Sequence, residues 1–244
     1  MKKLSLLLGL CLVALTAFVA PHSSKQEKFE DFISDLPALE FPFQVSIEDM
    51  ITRYDVYEAL SDEEFENRYL AMEQFRDFLP ESWFRFSRMG PPLVEPLAKM
   101  QVSEDVVGVV YSTFRNHRFR GENAFLIMFF DDHGSPIDHS KSDKKGKKNK
   151  RAWLSPNKPD IMGYALAYHG LVNTQTVRLE EDGRISLEVF ENVWAKDIDE
   201  HGTRDNEITG YKCVSSEELL INSKGRIKAY SNSQLVKSAR ASVH

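Results

Sequence analysis

Cysteine is nearly absent from this chain: of 244 residues only Cys11 and Cys213 are cysteine. Cys11 lies in the apolar N-terminal stretch, so Cys213 stands alone in the rest and no internal disulfide can form there. A small disulfide-stapled scaffold is excluded, and an apolar core has to hold the fold. Cys213 sits in Tyr211-Lys212-Cys213-Val214, a strand-like setting without a Cys/His signature. A buried, inert thiol is expected. Lipidation of Cys11 is disfavoured, because Leu10 stands where that modification needs a small residue.

Catalytic signatures are missing as well. There is no Gly-x-Ser-x-Gly or His-Glu-x-x-His, no P-loop and no dinucleotide fingerprint. His117 and His169 lie on or beside strand-like stretches, where a hydrogen-bonded structural histidine is the ordinary role. Excess basic charge is lacking too: 31 basic against 37 acidic residues give a net charge of −6, and without Lys2 and Lys3 the balance is −6 − 2 = −8. A general nucleic-acid binder needs a basic domain. The balance suits an extracytoplasmic space.

One long uncharged apolar run is present. Lys2 and Lys3 precede Leu4 to Ala20, which is dominated by Leu, Ala and Val. That order is expected of a signal peptide at residues 1–20, cut near Ala17 or Ala20. Leu15 before Ala17 and Pro21 after Ala20 spoil both sites, so an uncleaved N-terminal anchor is the alternative. Either way the expected location is exported, periplasmic or secreted.

The remaining 244 − 20 = 224 residues suffice for one domain or two small ones. Residues 21–41 are polar and weakly patterned and read as a flexible tether, with a short helical piece around Phe29 to Ile33. Residues 42–101 read as a helical segment followed by a Pro/aromatic connector. A helix is expected from Ile47 to about Leu60. A second starts at the capping box Ser61-Asp62-Glu63-Glu64, carries Phe65, Tyr69, Met72, Phe75 and Leu79 at helical spacing, and stops at Pro80. Trp83, Phe84, Phe86 and Met89, broken by Gly90, Pro91, Pro92 and Pro96, form neither a helix nor a central strand throughout. An irregular plug is expected there, with an aromatic binding loop as the alternative.

Residues 102–232 read as strands: Val107–Thr113, Asn123–Phe130, Gly163–Tyr168, Thr174–Leu179, Arg184–Trp194, Ile208–Val214, Glu218–Ile221 and Arg226–Tyr230. The continuous apolar run Asn123–Phe130 suits a central strand covered on both faces. Gly134, Gly183 and Gly225 follow polar pairs in three turns, and such turns supply the positive φ of tight hairpins. Residues 233–244 read as a flexible tail. The expected fold is α+β, with N-terminal helices packed on a mainly antiparallel β-meander.

Three segments are candidates for function. Asp131, His133, Asp138 and His139 carry oxygen and imidazole ligands for a divalent metal, although Asp, His, Gly, Ser and Pro also suit a turn. Asp197-Ile198-Asp199-Glu200-His201-Gly202 resembles the opening of a calcium loop, but Ile208 stands where the bidentate Glu belongs. Residues 140–151 hold seven positive charges against one negative. Among them Lys144, Lys145, Lys147, Lys148, Lys150 and Arg151 suit either a solvated loop or peripheral contact with an anionic membrane or glycan. The leading expectation is a non-enzymatic binding or accessory module of the bacterial cell envelope, with an envelope protein or glycan as partner, no nucleic acid and no cofactor. The alternatives are a periplasmic divalent-metal-dependent hydrolase and a peripheral protein binding anionic lipid or glycan through its lysine-rich loop.

Overall fold

The computed structural model describes residues 24–79, 93–115, 122–137, 164–196 and 207–230. The expected signal peptide, most of the Pro/aromatic connector, the basic loop and the tail lie outside these residues. Three α-helices come first: α1 (Lys25–Ser34), α2 (Ile47–Glu58) and α3 (Asp62–Met72). Each begins with the same device, in which a serine hydroxyl accepts from a backbone N–H three residues on and the carboxylate there accepts from the serine N–H. The pairs are Ser24 with Glu27, Ser46 with Asp49 and Ser61 with Glu64. Each satisfies backbone donors that the first helical turn leaves free.

Helix α1 contains the short helical piece expected around Phe29 to Ile33 and extends it to Lys25–Ser34. Phe29 is 1% exposed. Its ring lies 5.1 Å from that of Phe130 and 5.3 Å from that of Phe78. Polar residues dominate this stretch, so its average hides the one apolar stripe that docks it. The second expected helix is shortened: α3 ends at Met72, and Glu73–Phe78 continues as a 3₁₀ segment with non-helical backbone at Phe75. That break turns Phe75 and Phe78 onto Phe32, with ring centroids 5.9 and 4.9 Å apart.

Nine strands form one antiparallel sheet among the described residues: β1 (Phe43–Val45), β2 (Leu93–Ser103), β3 (Val106–Arg115), β4 (Glu122–Asp131), β5 (Tyr164–His169), β6 (Asn173–Leu179), β7 (Arg184–Trp194), β8 (Ile208–Ile221) and β9 (Ile227–Ala229). Strands β2 to β9 pair in chain order, as a meander, and β1 joins β6. The meander therefore begins at Leu93, inside the expected connector. Pro96 is tolerated because, among the described residues, β2 pairs at this position with β3 alone; its other edge is bridged only farther on, at Lys99. The segments expected as separate strands around Val214 and Glu218 form one strand, β8. Ser215, Ser216 and Glu217 are poor strand formers, but their ladder with β7 overrides that preference.

The alternating faces of β3 and β4 feed two cores. Val107, Val109, Tyr111, Leu126, Met128 and Phe130 pack beneath Phe29, Met72 and Phe78 on the helical side. Val110, Ile127 and Phe129 pack on Val177, Ile185, Leu219 and Ile221 of the later strands. One sheet meets its own far strands, so it curls into a half-barrel around the second core. Residues 37–45 bridge its two halves: Leu39 N–H donates to the Lys99 carbonyl at 2.7 Å, Lys99 N–H donates to that of Pro37 at 2.9 Å, and Phe43–Val45 pairs with β6.

The three glycine turns form as expected, with φ of 71° at Gly134, 81° at Gly183 and 65° at Gly225. In each, a side-chain oxygen of Asp131, Asp182 or Asn222 accepts from the backbone of the turn. Gly225 must be bare, because a Cβ there would lie 2.8 Å from Phe129 Cβ and 2.9 Å from Val106 Cγ1.

Candidate binding cleft

Helix α2 packs on β4, β5 and β6, where Asn123 Nδ2 donates to the Met50 carbonyl at 2.7 Å. Met50, Tyr54 and Tyr57 form its buried stripe, and Arg53 stands on the same face. A cation among buried apolar positions needs partners. Arg53 Nε donates to Ser112 Oγ of β3 at 2.6 Å, and Arg53 Nη2 donates to Tyr57 OH at 2.9 Å. Its guanidinium lies 5.2 Å from the Tyr57 ring centre and 5.0 Å from that of Phe125, so two π faces add to its retention.

Glu95, on β2, ties this group to the next helix. One carboxylate oxygen accepts from Tyr57 OH and lies 3.4 Å from Arg53 Nη2, and the other accepts from Arg68 Nη1 of α3 at 2.6 Å. Arg68 also lies 5.7 Å from the Tyr57 ring centre. Burial raises the Tyr57 phenol above its ordinary pKa and Glu95 adds to the rise, against the opposing pull of Arg53. Tyr57 is therefore a neutral phenol at physiological pH that donates to the Glu95 carboxylate.

The cluster opens onto a cleft of about 560 Å³, bordered by Phe43, Gln44 and Val45 of β1, by Thr52 and Val56 of α2, and by Phe125. Arg53 Nη1 and Arg68 Nη2 meet no acceptor among the described residues. Two guanidiniums share the carboxylate of Glu95, and Glu48 and Asp49 also border the cleft, so positive charge is local to Arg53 and Arg68 and not a property of the whole lining. This arrangement leaves guanidinium N–H groups open toward the cleft. Its residues were not among the candidates from sequence, yet a signal existed: an arginine on the otherwise apolar stripe 50, 54, 57. A second hollow, beside α1, is floored by the rings of Phe32, Phe75 and Phe78.

Of the expected metal ligands, Asp131 ends β4, and its Oδ1 accepts from the backbone N–H of His133 at 3.1 Å and of Ser135 at 2.7 Å. That oxygen serves the turn. His133 is exposed, with Nε2 3.7 Å from Asp132 Oδ1. Asp138 and His139 lie outside the described residues, as do Lys144, Lys145, Lys147, Lys148, Lys150 and Arg151 and the Asp197–Gly202 loop. No group of three metal-ligating side chains occurs among the described residues.

Cys213 is exposed, contrary to the buried thiol expected from its strand setting. Its stretch of β8 pairs only with β7 among the described residues, and Cys213 lies where the ladder register shifts. His169 is buried, as a structural histidine should be, with Nδ1 2.8 Å from Thr174 Oγ1. The Thr174 hydroxyl donates its one proton to Asn192 Oδ1 at 2.7 Å, so the proton of the His169–Thr174 bond sits on Nδ1. No described helix is long and apolar enough to cross a membrane. No family model matches the chain, and no match to it is found among the curated proteins or the solved structures.

Proposed function

We propose that this chain is an exported, non-enzymatic binding module of the cell envelope, and that it takes a ligand bearing an anionic group in the Arg53–Arg68 cleft. The observation that carries this reading is the pair of guanidiniums held by Glu95, Tyr57 and Ser112, each with an NH₂ group meeting no acceptor among the described residues. Their side chains are pre-set by bonds to the fold, so a ligand does not bear the cost of ordering them. Export rests on the apolar N-terminal segment behind Lys2 and Lys3.

The test is thermal unfolding of the full chain in sodium acetate, sulfate and phosphate, each matched in ionic strength with sodium chloride. A ligand that binds only the folded state raises the melting temperature in proportion to ln(1 + [L]/Kd). A saturable rise with at least one anion, absent in Arg68→Ala, is expected. Melting that follows ionic strength alone would remove the cleft as the functional site.

A further inference from the structure

We infer that the anionic group is a carboxylate presented by an extended peptide, which lies along the open edge of β1; this rests on the cleft being the binding site. Three observations converge. Arg53 and Arg68 share a single carboxylate, Glu95, and each keeps an NH₂ group that meets no acceptor among the described residues. Glu48 and Asp49 also border the cleft, which counts more heavily against a dianion such as phosphate than against a single carboxylate. Planar guanidinium N–H groups match a planar carboxylate, as Glu95 itself shows.

The peptide part follows from β1. Phe43, Gln44 and Val45 all border the cleft. Successive strand residues point to opposite faces, so three in a row line one cleft only when the strand meets it edge-on. One edge of β1 pairs with β6, and no described residue pairs with the other. An extended backbone fits such an edge by strand addition, with side chains alternating into neighbouring pockets. Phe43, Phe125 and the exposed Val56 supply apolar contact beside it. The carboxylate has two sources, a peptide C-terminus or an Asp or Glu side chain.

Calorimetric titration of the full chain separates these. The probes are an acetylated Ala-Val-Phe tripeptide with a free C-terminal carboxylate, its C-terminal amide, and an amide of the same length with a central Glu. Either carboxylate peptide should bind at least tenfold more tightly than the neutral amide, and the tighter of the two identifies the source. Arg68→Gln should abolish that difference. Arg68→Lys, which keeps the charge but not the fork, should reduce it and guards against a folding failure. N-methylation of the central amide should weaken binding; an unchanged affinity would overturn pairing to β1. Equal affinity for acid and neutral amide would overturn the carboxylate inference. Inorganic anions that bind when no peptide does would overturn the inference and leave the cleft intact, whereas failure of every probe would remove both.

Discussion

Phe29→Ala removes the side chain by which α1 is fastened to the sheet. Phe29 is 1% exposed and is ringed by Phe32, Phe78 and Phe130, with centroids at 6.4, 5.3 and 5.1 Å. Truncating a buried phenylalanine costs about 3–5 kcal/mol through lost transfer energy and the cavity left behind. A surface helix can settle partly into such a gap, which favours the lower end. Against a typical total of about 5–15 kcal/mol, that is a large fraction. For a chain of this size each kcal/mol lowers the melting temperature by about 2–4 °C, so a fall of about 6–20 °C is expected. The assay is urea unfolding followed by circular dichroism, with the midpoint converted through an unchanged m value. A loss under about 1 kcal/mol would refute the reasoning, since residues 25–34 would then be an undocked tether.

Other expectations follow from the same contacts. Gly134→Ala should destabilise strongly, because φ there is 71° and the new Cβ would lie 2.5 Å from Phe29 Cβ; left-handed backbone alone costs about 1–3 kcal/mol for a non-glycine residue, and urea unfolding measures it. Burial holds Tyr57 and Tyr111 above the ordinary phenol value of 10.0, so their contribution to stability is complete below that pH and is lost as the pH rises through the folded values. Tyr111→Phe should flatten part of this alkaline limb and cost about 1–3 kcal/mol, because the Phe78 carbonyl loses its donor; unfolding curves from pH 8 to 12 read both effects. Cys213, being exposed, should react stoichiometrically with a thiol reagent in the native protein, and a thiol reactive only in denaturant would contradict its placement. A fusion of residues 1–30 to alkaline phosphatase, which is active only outside the cytoplasm, should be active, and an inactive, stably produced fusion would overturn export.

The sheet was legible because its signals are local. The apolar run Asn123–Phe130 is a strand covered on both faces, and each polar pair followed by glycine makes its hairpin turn. The capping boxes at Ser24 and Ser46 were written as plainly as that at Ser61, and their helices bury Phe29 in the first case and Met50, Tyr54 and Tyr57 in the second. The cleft, by contrast, was hidden. Arg53, Arg68 and Glu95 are 42 positions apart at the extremes, and only the docking of α2 and α3 beside β2 brings them together. Nothing in one sequence states which carboxylate will meet which arginine. At Asp131 and His133 the residues that suit a metal also suit a turn, and Asp131 Oδ1 accepts from two backbone donors.

The most direct test of the cleft is nitrogen–proton correlation spectroscopy of the arginine side chains during titration with sodium acetate, at constant ionic strength. Arg53 Nε–H, held on Ser112 Oγ at 2.6 Å, should give a slowly exchanging, resolved signal in the free protein. Acetate should shift the Arg53 and Arg68 signals together along one saturating curve, while the signals of the exposed Arg178 and Arg184 stay in place. Uniform small shifts at all four arginines, rising without saturation, would mean that the two guanidiniums serve only to fasten α2 and α3 to β2.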